Sequence, residues 1–243
     1  VSAKADGSAT LTHASSSNTD QKFGYVVIDD FLSEYDAESL HEYFYNKDSK
    51  WWDNCIFPDE DITEGYQLGL YKDGDPKLYW KQRWLQEELD KHDYFFTYRY
   101  KRRGYFEHHH NQPWQDDSPS LTKQFDEDDL KNTISYITGY DNLNLQTMFC
   151  SCYQDGDYNS IHRDSDDGRR LAYVYHLTKN WQFAYGGLYM SYDKRVNNVK
   201  DVLLPRFNKM AIFDVAKNRT PHSVTQVARG VTNKRISLTG WYE

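Results

Sequence analysis

Two histidines and one aspartate of this chain have the types and spacing of a metal-binding triad. His162 and Asp164 lie two residues apart, and His222 follows much later in the chain. Residues two apart on an extended segment point to the same side, so His162 and Asp164 can offer two neighbouring ligands. Two imidazoles and one carboxylate form the facial triad that holds non-haem Fe(II) and leaves positions open for a cosubstrate and dioxygen. The His-x-Asp pair alone is a weak signal, which the distant histidine strengthens.

A basic residue after the second histidine extends this pattern. An iron site of this kind draws electrons for dioxygen activation from 2-oxoglutarate, whose far carboxylate needs a fixed cationic partner. A guanidinium binds a carboxylate through two parallel hydrogen bonds. Arg235 and Ser237 alternate onto one face of a predicted strand, so both can reach that carboxylate, while Lys234 points away. A surface ion pair is the alternative for a lone strand arginine.

Short strands separated by turns must position these residues. The predicted strands run over Leu145 to Tyr153, Leu171 to Leu177, Gly187 to Tyr192, Val202 to Leu204, Met210 to Val215, Ser223 to Val227 and Arg235 to Trp241. This spacing is typical of a sandwich or jelly roll. We therefore predict an antiparallel double-sheet core.

Helices are predicted mainly before these strands. After a strand at Tyr25 to Ile28, a first helix begins behind an N-cap at Ser33, and a second runs from Leu78 to about Lys91. A third runs from about Asp126 to Ile137, with Gly139 as its C-terminal stop. The fold class we expect is α+β and mainly β, with the N-terminal helices packed on one sheet.

Composition sets further bounds. Residues 1–21 are small and polar and are predicted to be a disordered tail, which leaves residues 22–243 as a single domain. A net charge of −8 and a pI of about 5.6 argue against direct nucleic-acid binding. No apolar run reaches the roughly 20 residues that a membrane helix needs. Three cysteines are too few for a disulfide framework, and the N-terminus has no signal-peptide pattern, so we expect a cytoplasmic protein.

Two other clusters have open interpretations. The basic island, defined as Arg99, Lys101, Arg102 and Arg103, either guides a substrate towards a pocket or keeps an exposed strand edge soluble. The run His108 to His110 suggests a second metal site, but consecutive strand residues face opposite ways, so a solvated loop is favoured.

Eight short motifs acquire meaning in combination. They are Tyr153, His162 to Asp164, Arg169 to Leu171, Gly186 to Leu188, Leu204 to Phe213, Pro221 to Val224, Lys234 to Ser237 and Gly240 to Tyr242. Together they resemble Fe(II)/2-oxoglutarate dioxygenases of the prolyl-hydroxylase type, most of all the subgroup that hydroxylates a proline of a ribosomal protein. The resemblance covers residues 145–242 well and the N-terminal part only in outline.

The resemblance implies a double-stranded β-helix with iron at its open end. It implies that His162, Asp164 and His222 are the Fe(II) ligands, and that Arg235 binds the distal carboxylate of 2-oxoglutarate. Tyr153 stands where the family often places a cosubstrate-binding tyrosine. Relatives that halogenate generally lack the carboxylate ligand, so Asp164 favours hydroxylation. Ascorbate is the reductant that such enzymes are expected to use.

One position departs from the family pattern. His176 stands where the subgroup commonly has a second tyrosine. A neutral imidazole still has one N–H to donate to a cosubstrate. The alternative is a strand histidine that only packs.

The function predicted from the sequence is hydroxylation of a prolyl residue in a protein or peptide, with succinate and CO2 released. A ribosomal protein is one expected partner. The same chemistry on a free amino acid or other small metabolite is the alternative. A jelly-roll protein that binds a metal for sensing, without turnover, is a third reading, although such a protein needs no cosubstrate anchor.

Overall fold

A computed structural model describes residues 10–14, 25–57, 97–107, 120–164 and 168–243. Within these ranges the chain forms twelve strands and three α-helices. The strands are β1 (Thr10–Ala14), β2 (Tyr25–Asp29), β3 (Asp53–Phe57), β4 (Tyr98–Glu107), β5 (Leu145–Tyr153), β6 (Tyr158–His162), β7 (Leu171–His176), β8 (Tyr189–Tyr192), β9 (Val199–Leu203), β10 (Lys209–Asp214), β11 (His222–Val224) and β12 (Arg235–Tyr242). The helices are α1 (Glu34–Tyr45), α2 (Asp128–Thr138) and α3 (Val215–Asn218).

All of these strands join one antiparallel sheet. Their order is β1-β2-β10-β7-β12-β5-β4-β6-β11-β8-β9, and β3 pairs with β4. The middle of the sheet is formed by β12, which pairs with β5 on one side and β7 on the other. The pairs that carry the site residues, β6 with β11, β5 with β12 and β7 with β12, join strands that are not consecutive in the chain, so these residues come together through long-range pairing.

The two faces of the sheet have different roles, as β5 shows. Met148, Cys150 and Cys152 are fully buried in the main hydrophobic cluster. The alternate residues Phe149 and Tyr153 line a cavity on the opposite face. Because strand side chains alternate between faces, one strand supports the core and the cavity at once.

Helices α1 and α2 contribute side chains to the main hydrophobic cluster. Ser33 caps α1, as predicted, because its hydroxyl accepts a hydrogen bond from the Asp36 N–H at 3.1 Å. Leu40 and Phe44 of this helix are fully buried in the main cluster, and each such side chain contributes roughly 1.5–3 kcal/mol of burial free energy. Gly139 ends α2 in the left-handed conformation, with φ of 70°, which confirms the predicted stop.

Most predicted strands are present, with shifts of a few residues at their ends. The predicted Leu145 to Tyr153 strand matches β5 residue for residue. The sequence did not predict β6, which has no buried alternation. The predicted helix at 78–91 lies outside the described residues. Thr10–Ala14 pairs with β2 inside the stretch predicted as a disordered tail, so the structure differs from that prediction at β1.

The strand-edge interpretation of the basic island is wrong. Strand β4 lies inside the sheet, because it pairs with β3 on one side and with β5 and β6 on the other. Arg99 pairs with Asp157 at 3.4 Å, and Arg103 with Asp53 at 3.7 Å. Arg102 instead lines the cavity. The run His108 to His110 lies outside the described residues.

All three cysteines are free thiols. Cys150 and Cys152 pack in the core, as predicted, and burial raises the pKa of Cys152 to about 12. Cys55 is half-buried and lines the cavity.

Within the described ranges, no helix has the length and apolar character to cross a membrane.

Gly186 should tolerate no side chain. It has φ of 66° and ψ of −147°, and an added Cβ would lie 2.0 Å from the backbone oxygen of Gln226. Such backbone strain alone costs about 1–3 kcal/mol, and the clash adds to it. We expect Gly186→Ala to lower the free energy of unfolding, measured by urea denaturation, by more than Gly230→Ala does. Gly230 also has positive φ but has open space around it, so equal losses would show that the clash is relieved at no cost.

Candidate metal centre

The structure brings His162, Asp164 and His222 together. His162 and His222 lie directly opposite each other where β6 pairs with β11. Asp164 follows two residues after the end of β6, and one ligand atom from each residue lies within 4.8 Å of the others. The Nε2 of His222 is 4.0 Å from Oδ2 of Asp164. This is the juxtaposition that the sequence predicted.

Backbone carbonyls fix which nitrogen of each histidine is available. The Nδ1 of His162 donates to the carbonyl oxygen of Ser160 at 2.8 Å, and the Nδ1 of His222 donates to that of Thr220 at 3.0 Å. A carbonyl oxygen only accepts, so Nδ1 must carry the hydrogen in both rings. A histidine with its hydrogen on Nδ1 coordinates a metal through Nε2, and a hydrogen bond from Nδ1 to a carbonyl is the usual support for metal-binding histidines.

Aromatic rings hold His222 in place. The Tyr189 ring stacks on His222 with centroids 5.4 Å apart, and Phe213 stacks in turn on Tyr189 at 4.8 Å. Burial first, and then the nearby Asp164 carboxylate, raise the pKa of the Tyr189 hydroxyl well above its usual value. Tyr189 therefore stays neutral, and the ring stack restricts the imidazole to one orientation.

The triad opens into a cavity of about 450 Å³ on the face of the sheet opposite the core. Its wall includes the three triad residues and also Arg235 and Tyr153. Arg235 and Tyr153 lie opposite each other where β12 pairs with β5. A cavity of this volume is in the range of small-molecule sites.

Arg235 is a buried cation that has a free donor. It is 3% exposed, and its guanidinium lies 4.9 Å from the centre of the Tyr153 ring. Within the described parts of the chain, its buried Nε has no hydrogen-bond partner. Burial lowers the pKa of this guanidinium. A buried charge costs free energy unless it is paired, so the residue fits an anionic ligand such as a carboxylate.

The predicted residues His176 and Ser237 lie beside Arg235 and bind each other. They are opposite each other where β7 pairs with β12, and Nδ1 of His176 is 3.0 Å from Oγ of Ser237. His176 lines the cavity. Ser237 is fully buried, and its hydroxyl faces the histidine. Burial, with smaller effects of Arg235 and Lys209, lowers the pKa of His176 well below its usual value.

This pKa shift predicts a pH dependence of stability. His176 stays neutral in the folded protein below pH 6.5, where the same histidine in the unfolded chain takes up a proton. The folded state therefore loses stability relative to the unfolded state as the pH falls. His176→Gln removes this contribution. We expect the stability difference between wild type and His176→Gln to shift in favour of the variant as the pH is lowered from about 7.5 to about 5.5. Urea unfolding of the metal-free proteins measures it, and a constant difference would contradict the assignment.

The far end of the cavity is aromatic. Trp241 and Phe149 lie there with ring centroids 5.7 Å apart. The guanidinium of Arg169 lies 4.4 Å from the centre of the Trp241 ring, and its Nε donates to Gln146 at 2.8 Å. Within the described ranges, the buried Nε1 of Trp241 has no partner. This end therefore offers an apolar surface with an unused donor.

The sequence did not predict three tyrosines of the cavity wall, Tyr98, Tyr100 and Tyr189. Tyr189 is the first residue of the short strand β8. Tyr100 lies on β4, and its ring stacks on Tyr153 with centroids 5.0 Å apart. The alternation of Tyr98, Tyr100 and Arg102 carried the signal, because these three residues share the cavity face.

Comparisons with known proteins agree with this geometry. Residues 148–243 match the 2OG-Fe(II) oxygenase superfamily. Prolyl 3-hydroxylase OGFOD1 of Mus musculus is 29% identical over 119 residues, which are 47% of this chain and 22% of that protein. Prolyl 3,4-dihydroxylase OGFOD1 of Ostreococcus tauri is 30% identical over 123 residues, 46% of this chain and 24% of that protein. The chain thus spans less than a quarter of the length of these relatives.

A solved structure shares the fold. It is a prolyl hydroxylase from Trichoplax adhaerens in complex with a hypoxia inducible factor peptide fragment. The TM-score is 0.53 at 19% identity, over 90% of this chain and 83% of that one. The similarity extends to the N-terminal half, where the sequence resemblance is only in outline.

Proposed function

We propose that this chain, whose residues 148–243 carry a 2OG-Fe(II) oxygenase domain, hydroxylates a prolyl residue in a protein or peptide. The reaction would consume 2-oxoglutarate and dioxygen and release succinate and CO2. The proposal rests on one cavity that has two features. Its wall contains the cluster of His162, Asp164 and His222, and it also contains the buried cation Arg235, which fits an anionic ligand. A simple metal-binding protein needs only the first of these.

Each residue has a task in this reaction. His162, Asp164 and His222 would hold Fe(II), which supplies the redox chemistry that couples decarboxylation of 2-oxoglutarate to hydroxylation. Arg235 would bind the distal carboxylate of 2-oxoglutarate through its guanidinium fork. The ring of Tyr153 lies against that guanidinium and supports it through a cation–π contact.

Two residues would assist Arg235. His176, neutral and buried, would donate a hydrogen bond to the cosubstrate, in place of the tyrosine of relatives. Ser237 would act through His176, because its hydroxyl bonds that ring. Aromatic walls formed by Tyr189 and Phe213 would keep bulk water from the metal centre.

The far end of the cavity supports a peptide substrate. A prolyl ring is apolar, and the flanking backbone offers carbonyl acceptors. Trp241 has an unused buried donor, and Arg169 lies across its ring. The names of the relatives, which are prolyl hydroxylases, point the same way. A ribosomal protein remains the expected partner. A free amino acid or small metabolite is the alternative, and it would have to leave this end of the cavity unfilled.

The finer fold and setting belong to the same proposal. We infer that the curled antiparallel sheet is a double-stranded β-helix, or jelly roll, with N-terminal helices supporting one sheet. Residues 22–243 are proposed as a single domain. Ascorbate is proposed as the reductant and the cytoplasm as the location.

Mass spectrometry tests the substrate class. Proline-containing peptides, taken from ribosomal proteins, would be incubated with the protein, Fe(II), 2-oxoglutarate and ascorbate. We expect one peptide to gain one oxygen atom on proline, with one succinate formed for each hydroxyl. Matched peptides with alanine in place of proline are the control. Succinate formation stimulated only by free amino acids would favour the small-metabolite alternative.

A further inference from the structure

Four residues from four neighbouring strands form a row on the cavity face. Arg235 of β12 lies opposite Tyr153 of β5. On the other side of β5, Lys101 lies opposite Cys152, which places Tyr100 of β4 beside Tyr153. Tyr100 in turn lies opposite Cys55 of β3. The row therefore leads from the proposed carboxylate anchor, across two tyrosine rings, to a thiol.

The first three side chains of this row are stacked. The guanidinium of Arg235 is 4.9 Å from the centre of the Tyr153 ring. The rings of Tyr153 and Tyr100 are nearly parallel, at 12°, with centroids 5.0 Å apart. Because β5 lies between β12 and β4, the Tyr153 ring is sandwiched between the cation and the second tyrosine. Tyr100 thus closes the face of the ring that Arg235 leaves uncovered.

Arg235 is 3% exposed, and packing against the Tyr153 ring contributes to its orientation. Its Nε has no hydrogen-bond partner within the described residues, and the Tyr153 ring is the aromatic surface on which it rests. An arginine side chain has many rotamers, and its fork must be oriented to bind a carboxylate at two points. Stacked aromatic pairs and cation–π contacts both restrict orientation. The ring that orients Arg235 is itself oriented by Tyr100.

We propose that Tyr100 is a positioning residue for 2-oxoglutarate binding, which it favours by holding Tyr153 against Arg235. This inference rests on the proposed role of Arg235 as the anchor of the distal carboxylate. The ring of Tyr100 acts and its hydroxyl does not, because the contact with Tyr153 is a ring stack. Cys55 of β3 lies opposite Tyr100, at the side away from Arg235.

Substitution of the ring gives a graded prediction. Tyr100→Leu should weaken 2-oxoglutarate binding by about tenfold, because a stacked pair and part of a cation–π contact are lost. Tyr100→His, which keeps a smaller ring, should weaken it by about threefold. Tyr100→Phe should bind within about twofold of wild type. Metal affinity should be the same in all four proteins.

Calorimetry without turnover measures these effects. 2-Oxoglutarate is titrated into each protein loaded with Mn(II), and Mn(II) alone is titrated into the metal-free proteins. Steady-state assays then separate KM for 2-oxoglutarate, which should rise in Tyr100→Leu, from kcat, which should change little. Tyr158 is a half-buried tyrosine of the neighbouring strand β6, and it lies opposite Arg99 of β4. Tyr158→Leu is therefore the matched control. It should bind 2-oxoglutarate as wild type does.

The outcomes separate this inference from the proposed function. Unchanged 2-oxoglutarate affinity in Tyr100→Leu and Tyr100→His, with normal binding by wild type, overturns the role of Tyr100 and leaves the proposed function standing. Equal weakening in Tyr100→Phe and Tyr100→Leu overturns it too, since the hydroxyl would then be the acting group. Absence of 2-oxoglutarate binding by wild type removes the proposed function itself. If Tyr100→Leu does not fold, as judged by circular dichroism, Tyr100→His and Tyr100→Phe decide.

Discussion

Arg235→Ala should raise the apparent KM for 2-oxoglutarate by about a hundredfold or more and leave iron affinity within about threefold of wild type. The guanidinium is 3% exposed, and a carboxylate bound there would form a desolvated charge pair. Loss of one partner of such a pair costs about 2–5 kcal/mol. Arg235→Lys keeps the charge but loses the fork, so we expect an intermediate KM. Steady-state kinetics at varied 2-oxoglutarate, together with metal titration, measure both quantities.

A cation one position away gives the control for this experiment. Lys234 immediately precedes β12, and its Nζ donates to the carbonyl oxygens of Tyr45 and Lys47 at 2.6 and 2.9 Å. Lys234→Ala therefore removes a positive charge next to Arg235 in the chain without changing the cavity lining. Its KM for 2-oxoglutarate should be unchanged. Equal effects of Arg235→Ala on KM and on iron affinity would show that the arginine has a structural role and is not the anchor.

His162→Ala should abolish turnover and reduce metal affinity by at least about a hundredfold. Even residues that only orient metal ligands lower affinity or activity by 10–100-fold when they are replaced, so loss of a ligand should cost more. The substitution removes the imidazole ring from the cavity wall. It should leave the rest of the sheet intact, because His162 is the last residue of β6. Titration of the purified variant with Fe(II) under anaerobic conditions measures the affinity.

His41 provides a matched control for this change. Like His162, it is only partly buried, and its Nδ1 contacts a backbone carbonyl, that of Leu177, at 2.6 Å. It lies on α1, outside the cavity wall. His41→Ala should leave metal affinity and turnover near wild type. If His162→Ala retained both, the triad would not be the metal site.

The sequence predicted the strands that have their own apolar pattern. In β5, cavity and core residues alternate from Thr147 to Tyr153, and the ends of the strand were predicted without error. By contrast, β6 has only half-buried residues and no apolar alternation, so it was not predicted although His162 ends it. Strand β4 was interpreted as an exposed edge because its charges suggested solvent. Three of those charges, Arg99, Lys101 and Arg103, instead contact Asp157, Gln154 and Asp53 from the face away from the cavity. The fourth, Arg102, lines the cavity.

The candidate site likewise contains residues that the sequence predicted and residues that it did not predict. Arg235 and the triad were found because their types and order limit the chemistry, and alternation placed Arg235 on one face of its strand. Tyr100 could not be found, because its partner Tyr153 lies on another strand, far along the chain. The Ser237 hydroxyl was expected at the cosubstrate, and in the structure it contacts His176. Local pattern gives the face of a residue, whereas strand pairing gives its neighbours.

Anaerobic titration of the metal-free protein with Fe(II) and then with 2-oxoglutarate tests the central claim most directly. The claim is that one cavity binds iron through the triad and 2-oxoglutarate through Arg235. We predict a weak visible absorption band that appears only when both are present, is absent in His162→Ala and requires far more 2-oxoglutarate in Arg235→Ala. A folded wild-type protein that binds Fe(II) but develops no such band with 2-oxoglutarate would contradict the account.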